Sequence, residues 1–345
     1  MKGRIIVLGR LGARRAAALI ENGRLSDFLT EPADPGAFRP GTVCRAVVER
    51  RIKGQGGVFV RLPGGAAGFL SQAQGLSPGQ SLPVQVTGHA GQGKAAPVTA
   101  RLLFKSRHAI VTPGAPGLNV SRRITGPDER ARLMRIAGEQ MAGRADGLII
   151  RSAAKGAGTD DIAEDIAAMR DLAAGVMAAA GKGGPELLSD GPDPHDLARR
   201  EWAADQLADG DDAFADHGIA EHLAPFRAAR APLAGGASMY VEPTRALVAV
   251  DVNTGSDLSP AAALKANLSA AGDLPRQLRV RGLGGQIVVD FAPVAKKDRP
   301  RLEQALRTGF RADPVETALV GWTPLGHFEL QRKRERCPLS ESLPR

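Results

Sequence analysis

Two apolar runs in the last third of the chain each deliver an aspartate, and this pattern constrains the fold more than any other feature. One is Leu247-Val248-Ala249-Val250-Asp251-Val252-Asn253 and the other is Ile287-Val288-Val289-Asp290. Short, nearly continuous apolar runs between breaker-rich segments read as strands of a sheet. A lone carboxylate at a buried strand edge is costly unless something neutralises it. Two such strands side by side bring Asp251 and Asp290 together, where a cation relieves their repulsion. Magnesium suits such a pair, because it is commonly held by one or two carboxylates plus substrate phosphates. From there it can polarise a phosphodiester and position a water for in-line attack. The competing reading is structural: Asp251-Val252-Asn253-Thr254-Gly255 also has the composition of a turn or helix cap.

The rest of the chain reads as α/β and multi-domain. Residues 1–37 begin with a strand at 4–8, followed by an Ala- and Arg-rich stretch compatible with a helix or a hairpin. Residues 38–105 read as short strands at 42–51, 57–62, 68–70, 82–88 and 96–104, punctuated by Gly and Pro. That pattern and length suit a small five-stranded oligonucleotide-binding barrel. A strand at 108–111, a turn at 113–117, a helix at 128–141 and a strand at 147–151 follow. Asp161 and Glu164 have capping-box spacing ahead of Ile166, Met169, Leu172 and Val176 at helical intervals. Residues 181–197 read as a Gly-, Pro- and Asp-rich surface loop. A hairpin at 238–253, helices at 260–281 and 299–311, and strands at 286–291, 316–322 and 326–331 complete the chain.

Composition narrows the partner. The formal charge of +9 favours a polyanion, because Lys and Arg attract phosphates over long range. Aromatics are 4% of the chain, so Ala, Val and Leu must fill most of the cores. Cys44 and Cys337 form no disulfide framework, which points to a reducing compartment. The N-terminus lacks a signal-peptide core, and no run of about 20 apolar residues suggests a membrane span. A cytoplasmic protein with no membrane partner is expected. The six histidines are scattered without zinc-enzyme spacing, and Gly282-Leu283-Gly284-Gly285 reads as a turn rather than a phosphate loop.

The aspartate runs belong to a longer ordered set. Val250-Asp251-Val252-Asn253-Thr254-Gly255 is followed by Ala266-Asn267-Leu268-Ser269-Ala270-Ala271, then by an unbroken segment from Arg276 through Gly282-Leu283-Gly284-Gly285 to Asp290-Phe291. This set resembles the catalytic segment of the ribonuclease E/G family. The resemblance extends to the N-terminal lead-in, to an S1 RNA-binding domain over 38–105, to a sensor segment at Gly147-Leu148-Ile149-Ile150-Arg151-Ser152-Ala153-Ala154, and to the end of the core at Leu325–Arg334. It covers roughly two thirds of the chain and is weakest over 155–236.

The resemblance implies a domain plan: lead-in 1–37, S1-like barrel 38–105, sensor segment 106–180, shortened connector 181–236, nuclease core 237–335 and tail 336–345. It implies a magnesium-dependent endonuclease for single-stranded RNA, with manganese as a substitute, that leaves 5′-phosphate and 3′-hydroxyl ends in ribosomal RNA processing or messenger RNA decay. Asp251 and Asp290 match its metal-binding aspartates, and Asn253 its supporting polar residue. Phe59 and Phe69 match aromatics that stack on bases, worth about 1–3 kcal/mol per base; without the resemblance both are expected in a barrel core. Lys94 matches a basic residue contacting RNA phosphate, against the alternative of a solvated loop lysine. Arg122 and Arg123 match a basic element along the RNA path. Arg151 and Ser152 match an Arg-Thr pair that receives a 5′-monophosphate; the alternative is an Arg151 paired with an acid such as Asp146.

The chain also departs from the family pattern. Cys337-Pro338-Leu339-Ser340 lacks the second cysteine of a Cys-Pro-x-Cys element, so neither structural zinc nor a zinc-linked dimer is expected, and self-association is left open. The loop after Asn253 is short and lacks basic residues, Glu316 stands near the place of a further sensor arginine, and Pro275 is expected to start or kink its helix. Two rival functions are a non-catalytic S1-domain RNA-binding protein and a DNA nuclease.

Overall fold

A computed structural model describes residues 3–51, 56–72, 74–91 and 93–342. The chain divides into two compact units. One comprises Met1–Ala37, Asp193–Ala198 and Trp202–Arg345, and the other Phe38–Pro192 with Arg199–Glu201. The first unit opens with three antiparallel strands, β1 (Arg4–Leu11), β2 (Arg14–Glu21) and β3 (Arg24–Thr30). The Ala- and Arg-rich stretch is therefore a hairpin. The next turn, Asn22-Gly23 between β2 and β3, has positive φ at both residues, as a two-residue hairpin turn matched to strand twist requires.

In the second unit β4 (Val43–Arg51), β5 (Val58–Arg61), β6 (Ala67–Leu70), β7 (Ser81–Val86) and β8 (Ala96–Thr99) close into a barrel of order β4-β5-β6-β8-β7. The β6–β8 pairing is parallel and the others are antiparallel. This is the strand order of the oligonucleotide-binding barrel. Inward alternation supplies its core, including Ala46, Val48, Val58, Val60, Leu70, Val84 and Val98; among the described residues no aromatic ring is buried in it, and Phe38 packs against it half-buried.

A second sheet in this unit has the order β11-β12-β10-β9, from β9 (Phe104–Lys105), β10 (Ala109–Thr112), β11 (Gly117–Val120) and β12 (Gly147–Ile150). β11 lies beyond the expected turn and was not legible, since it is a four-residue strand with only two apolar residues. Helices α1 (Pro127–Gln140) and α2 (Thr159–Ala179) cover the sheet through Leu133, Ile136, Ile162, Ile166 and Val176. The capping box expected at Asp161 and Glu164 does not form. The N-cap of α2 is Gly158, and Asp160 and Asp161 lie in its first turn, where they face the positive end of the helix dipole. The expected surface loop at 181–197 is also corrected. It contains β13 (Glu186–Ser189), paired with β4, and the start of α3 (Pro194–Glu201), which has a true capping box between Asp193 and Asp196.

The first unit resumes with β14 (Gln206–Ala208), parallel to β1, and with α4 (Ala213–Asp216) and α5 (Ile219–Arg227). Its main sheet has the order β15-β16-β17-β18-β20-β19, made from β15 (Arg230–Pro232), β16 (Ser238–Pro243), β17 (Val248–Asn253), β18 (Gly285–Asp290), β19 (Thr317–Trp322) and β20 (Phe328–Arg332). Between β17 and β18 runs α6 (Pro260–Val280); α7 (Arg299–Ala312) follows β18, and α8 (Leu339–Ser342) is the last described element. The core joins Val241, Val250, Val252, Ile287 and Val289 of the sheet to Leu274, Leu278, Leu302 and Leu306 of the helices. α6 runs through Pro275 instead of starting or kinking there. Pro275 is buried, and Gly309 of α7 leaves room for it, since a Cβ there would come within 3.2 Å of the ring. Packing on both sides outweighs the lost backbone hydrogen bond. Among the described residues no helix is long and apolar enough to cross a membrane.

Candidate active site

Strand alternation decides where the two aspartates point. Val248, Val250 and Val252 of β17 are buried, so Ala249, Asp251 and Asn253 take the opposite face; in β18 Ile287 and Val289 are buried, and Asp290 faces the other way. The two strands are parallel, and Asp251 is the register partner of Asp290. Adjacent strands lie about 4.8 Å apart, so the two carboxylates rise side by side. Both are exposed, with 64% of the Asp290 side chain accessible. The expectation of carboxylates at a buried strand edge is therefore corrected. They stand on the open face of the sheet, where water already eases their charge.

Asn253 sits two residues along the same face, and its Nδ2 donates to Asp251 Oδ2 at 2.7 Å. The pairing is between side chains on β17, not the turn or cap that the residues 251–255 also allowed. Tyr240 of β16 is the register partner of Asp251 on the far side. On the other flank His327 Nε2 lies 3.8 Å from Asp290 Oδ1. His327 had been given no role, because its position depends on β20 pairing with β18, a contact between residues about 40 apart that no local pattern announces. Among the described residues no group of three or more His, Cys, Asp or Glu could hold a metal ion by itself. Two carboxylates with open space above them suit a hard, oxygen-seeking divalent ion that keeps waters and takes its other ligands from a phosphate.

In the barrel, Phe59 and Phe69 are register partners on β5 and β6. Val58 and Val60, and Gly68 and Leu70, point inward, so both rings stand outside, half-buried, edge to face at 5.8 Å. The expectation that they are core residues fails. Gly57 makes room for the Phe69 ring, which a Cβ there would meet at 2.5 Å. Lys94 is exposed in the connection between β7 and β8.

Four further residues share one edge of the second unit's other sheet. β11 and β12 are parallel, with Val120 opposite Ile150, and Ser121 N donates to Ile150 O. Arg122 and Arg123 thus leave the sheet at the same end as Arg151 and Ser152, and all but the half-buried Arg151 are exposed. Arg151 is not paired with Asp146, whose Oδ1 accepts from Gly114 N. Its Nη1 donates to the Ser106 carbonyl at 2.5 Å, and its Nη2 meets Glu201 Oε2 at 2.5 Å. Burial pushes the Glu201 carboxyl up, but Arg200 and Arg151 outweigh it and hold its pKa below the ordinary glutamate value.

Cys44 and Cys337 are both buried, and neither is in a disulfide. Burial, with Asp190 nearby, pushes the Cys44 thiol up to about 11. The Cys337 carbonyl lies against Gly282, where a Cβ would come within 2.0 Å of it. Glu316 pairs with Lys333 at 2.5 Å. The short segment after Asn253 ends in the N-cap Ser259, whose Oγ accepts from Ala262 N.

Known proteins similar in sequence place the chain in a family. Among curated proteins the chain is similar to Ribonuclease G of Salmonella typhimurium (strain SL1344), 30% identical over 301 residues that cover 75% of this chain and 60% of that protein. It is similar to Ribonuclease E of Nostoc sp. (strain PCC 7120), 29% identical over 75% of this chain and 44% of that protein. Against Ribonuclease G of Haemophilus influenzae the identity is 25%, over 94% of this chain and 78% of that protein. The chain thus spans about 60% of the length of the first of these and less than half of the second. The model of the Ribonuclease E/G family matches residues 104–209 and 202–335, which take in Arg151, Asp251, Asn253 and Asp290. The chain belongs to the ribonuclease E/G family.

Proposed function

We propose that this chain is a magnesium-dependent endoribonuclease that cuts single-stranded RNA by water attack, leaving 5′-phosphate and 3′-hydroxyl ends, in ribosomal RNA processing or messenger RNA decay. The observation that carries this reading is the register pairing of Asp251 with Asp290 on the open face of a sheet, within the segment that the family model matches. Asp251 and Asp290 would hold a magnesium ion, for which manganese could substitute. A divalent ion held there would supply Lewis-acid polarisation of the phosphodiester and charge neutralisation. Asn253 fixes the Asp251 carboxylate through its 2.7 Å hydrogen bond. In the reaction a water oxygen bonds to phosphorus, the P–O3′ bond breaks, and the departing 3′-oxygen takes up a proton. The ribose 2′-hydroxyl has no part in this chemistry.

The barrel is an S1-type RNA-binding module in this reading. Phe59 and Phe69 offer ring faces to unpaired bases, and Lys94 offers a charge to the backbone. Arg122 and Arg123 neutralise phosphates, and Arg151 with Ser152 receives a 5′-phosphate, the guanidinium through its planar fork and the hydroxyl through one donor. The test is to incubate single-stranded RNA and DNA of one sequence with the chain and magnesium, then to map the ends. Cleavage of the RNA alone, with products that a ligase requiring 5′-phosphates joins, is expected. Equal cutting of DNA would make it a general nuclease, and tight RNA binding without cutting would make it a binding protein.

A further inference from the structure

The Arg151 fork is occupied. Its Nη2 meets Glu201 Oε2, and the other Glu201 oxygen, Oε1, takes the Nε of Arg200 at 2.7 Å. Glu201 therefore spans two guanidiniums with its two oxygens, as two oxygens of a phosphate would. All three side chains are largely but not fully shielded, 21% exposed for each arginine and 30% for the glutamate. The edge around them is otherwise rich in cations, since Arg107, Arg122 and Arg123 stand on the same or adjoining segments. Arg107 is fixed in part by a 2.7 Å bond to the Arg199 carbonyl, which ties it to the segment carrying Arg200 and Glu201. One carboxylate thus sits in a position built to take an anion.

We propose that Glu201 occupies the 5′-phosphate seat between Arg151 and Arg200, and that it determines how far this chain distinguishes a 5′-monophosphorylated RNA from a 5′-hydroxyl one. This rests on the reading of Arg151 as a phosphate receiver and adds Arg200 as its second arm. An incoming phosphate must displace the glutamate, so the two anions compete for one pair of guanidiniums. The wild-type chain gains little from a 5′-phosphate, because what the phosphate wins from the arginines is offset by what the glutamate loses. Replacing Glu201 with a neutral residue leaves the seat open.

The experiment measures binding of 3′-labelled single-stranded RNA to the full chain by fluorescence anisotropy in EDTA, so that no cleavage intervenes. Each RNA carries either a 5′-monophosphate or a 5′-hydroxyl. For wild type, the affinity ratio of the two RNAs is expected to stay below about twofold. In Glu201→Gln and Glu201→Ala it rises to about tenfold, the scale of one charge-assisted pair gained. Adding Arg151→Gln or Arg200→Gln to Glu201→Ala brings the ratio back toward one. Thermal unfolding of every variant checks that the fold is kept, and Glu201→Gln preserves the side-chain volume should Glu201→Ala unfold. A wild-type ratio near ten, or a ratio unmoved in a folded Glu201 variant, overturns the inference while leaving the nuclease reading intact. Failure of every folded variant to bind either RNA overturns both.

Discussion

At the scale of single residues, the first unit keeps charges where charges are expensive. Asp313 is fully buried and accepts from Arg332 Nη2 at 3.0 Å and from Arg279 Nη1 at 2.5 Å; Arg332 is itself only 1% exposed. Burial lowers the Arg332 pKa, and Asp313 opposes that shift. Asp27 extends the network, accepting from Arg336 at 2.9 Å and Trp202 at 3.1 Å. Removing one partner of such a set strands a buried charge, so Asp313→Ala should cost about 3–5 kcal/mol in urea unfolding. An unfolding midpoint unchanged from wild type would show that the network contributes no net stability. Glu129 gives a pH test. Hydrogen bonds from Arg132 and the Gly156 amide pull its pKa from 4.5 to about 2. A carboxylate whose folded pKa is depressed contributes stability above the unfolded value and loses it as pH falls through the folded one. Glu129→Gln should therefore be less stable than wild type at neutral pH, and the gap should close between about pH 4.5 and pH 2. A gap that stays constant over that range would contradict this.

Elements carry the next level of prediction. Because Phe59 and Phe69 stand outside the barrel, Phe59→Ala and Phe69→Ala should weaken binding of single-stranded RNA by about fivefold to a hundredfold each, following the energy of one base stack. The barrel core does not contain them, so thermal unfolding should shift little by comparison; a large loss of stability with unchanged RNA affinity would return them to a structural role. The turn between α6 and β18 makes a stability prediction. Gly282 has φ +67, and the Cys337 carbonyl fills the space where a Cβ would go. Gly282→Ala combines left-handed strain with a backbone clash and should cost about 2–4 kcal/mol, measured by chemical denaturation. Sequence periodicity found most of these elements, because buried Val and Ile at alternate positions leave one solution for strands such as β5 and β17. It missed β11 and β13, four-residue strands with only two apolar residues each, too short a run to stand out. It misplaced the α2 cap because Gly158, which contributes no side-chain bond, is the residue that starts the helix. It misjudged Pro275 because the space for its ring comes from Gly309 on another helix.

For the molecule as a whole, the candidate site is legible in part. Asp251, Asn253 and Asp290 were evident as residues, since the apolar runs and the ordered motif single them out. Their exposure was not evident. It follows from which face of the sheet α6 and α7 cover, and that is decided by packing across more than 60 residues. His327 beside Asp290 and Glu201 on Arg151 were invisible for the same reason, because each pairing joins segments 37 and 50 residues apart. In the proposed function the paired aspartates do the chemistry and the rest of the chain brings RNA to be cut. This is tested by cleavage of a labelled single-stranded RNA by wild type, Asp251→Asn and Asp290→Asn, in magnesium and in EDTA, with RNA affinity recorded in parallel. Cutting that requires magnesium and falls by about two orders of magnitude or more in each variant, while affinity holds, is the result expected, since loss of a metal ligand removes several kcal/mol of transition-state stabilisation. Undiminished cutting by both variants, or cutting that persists in EDTA, would contradict it.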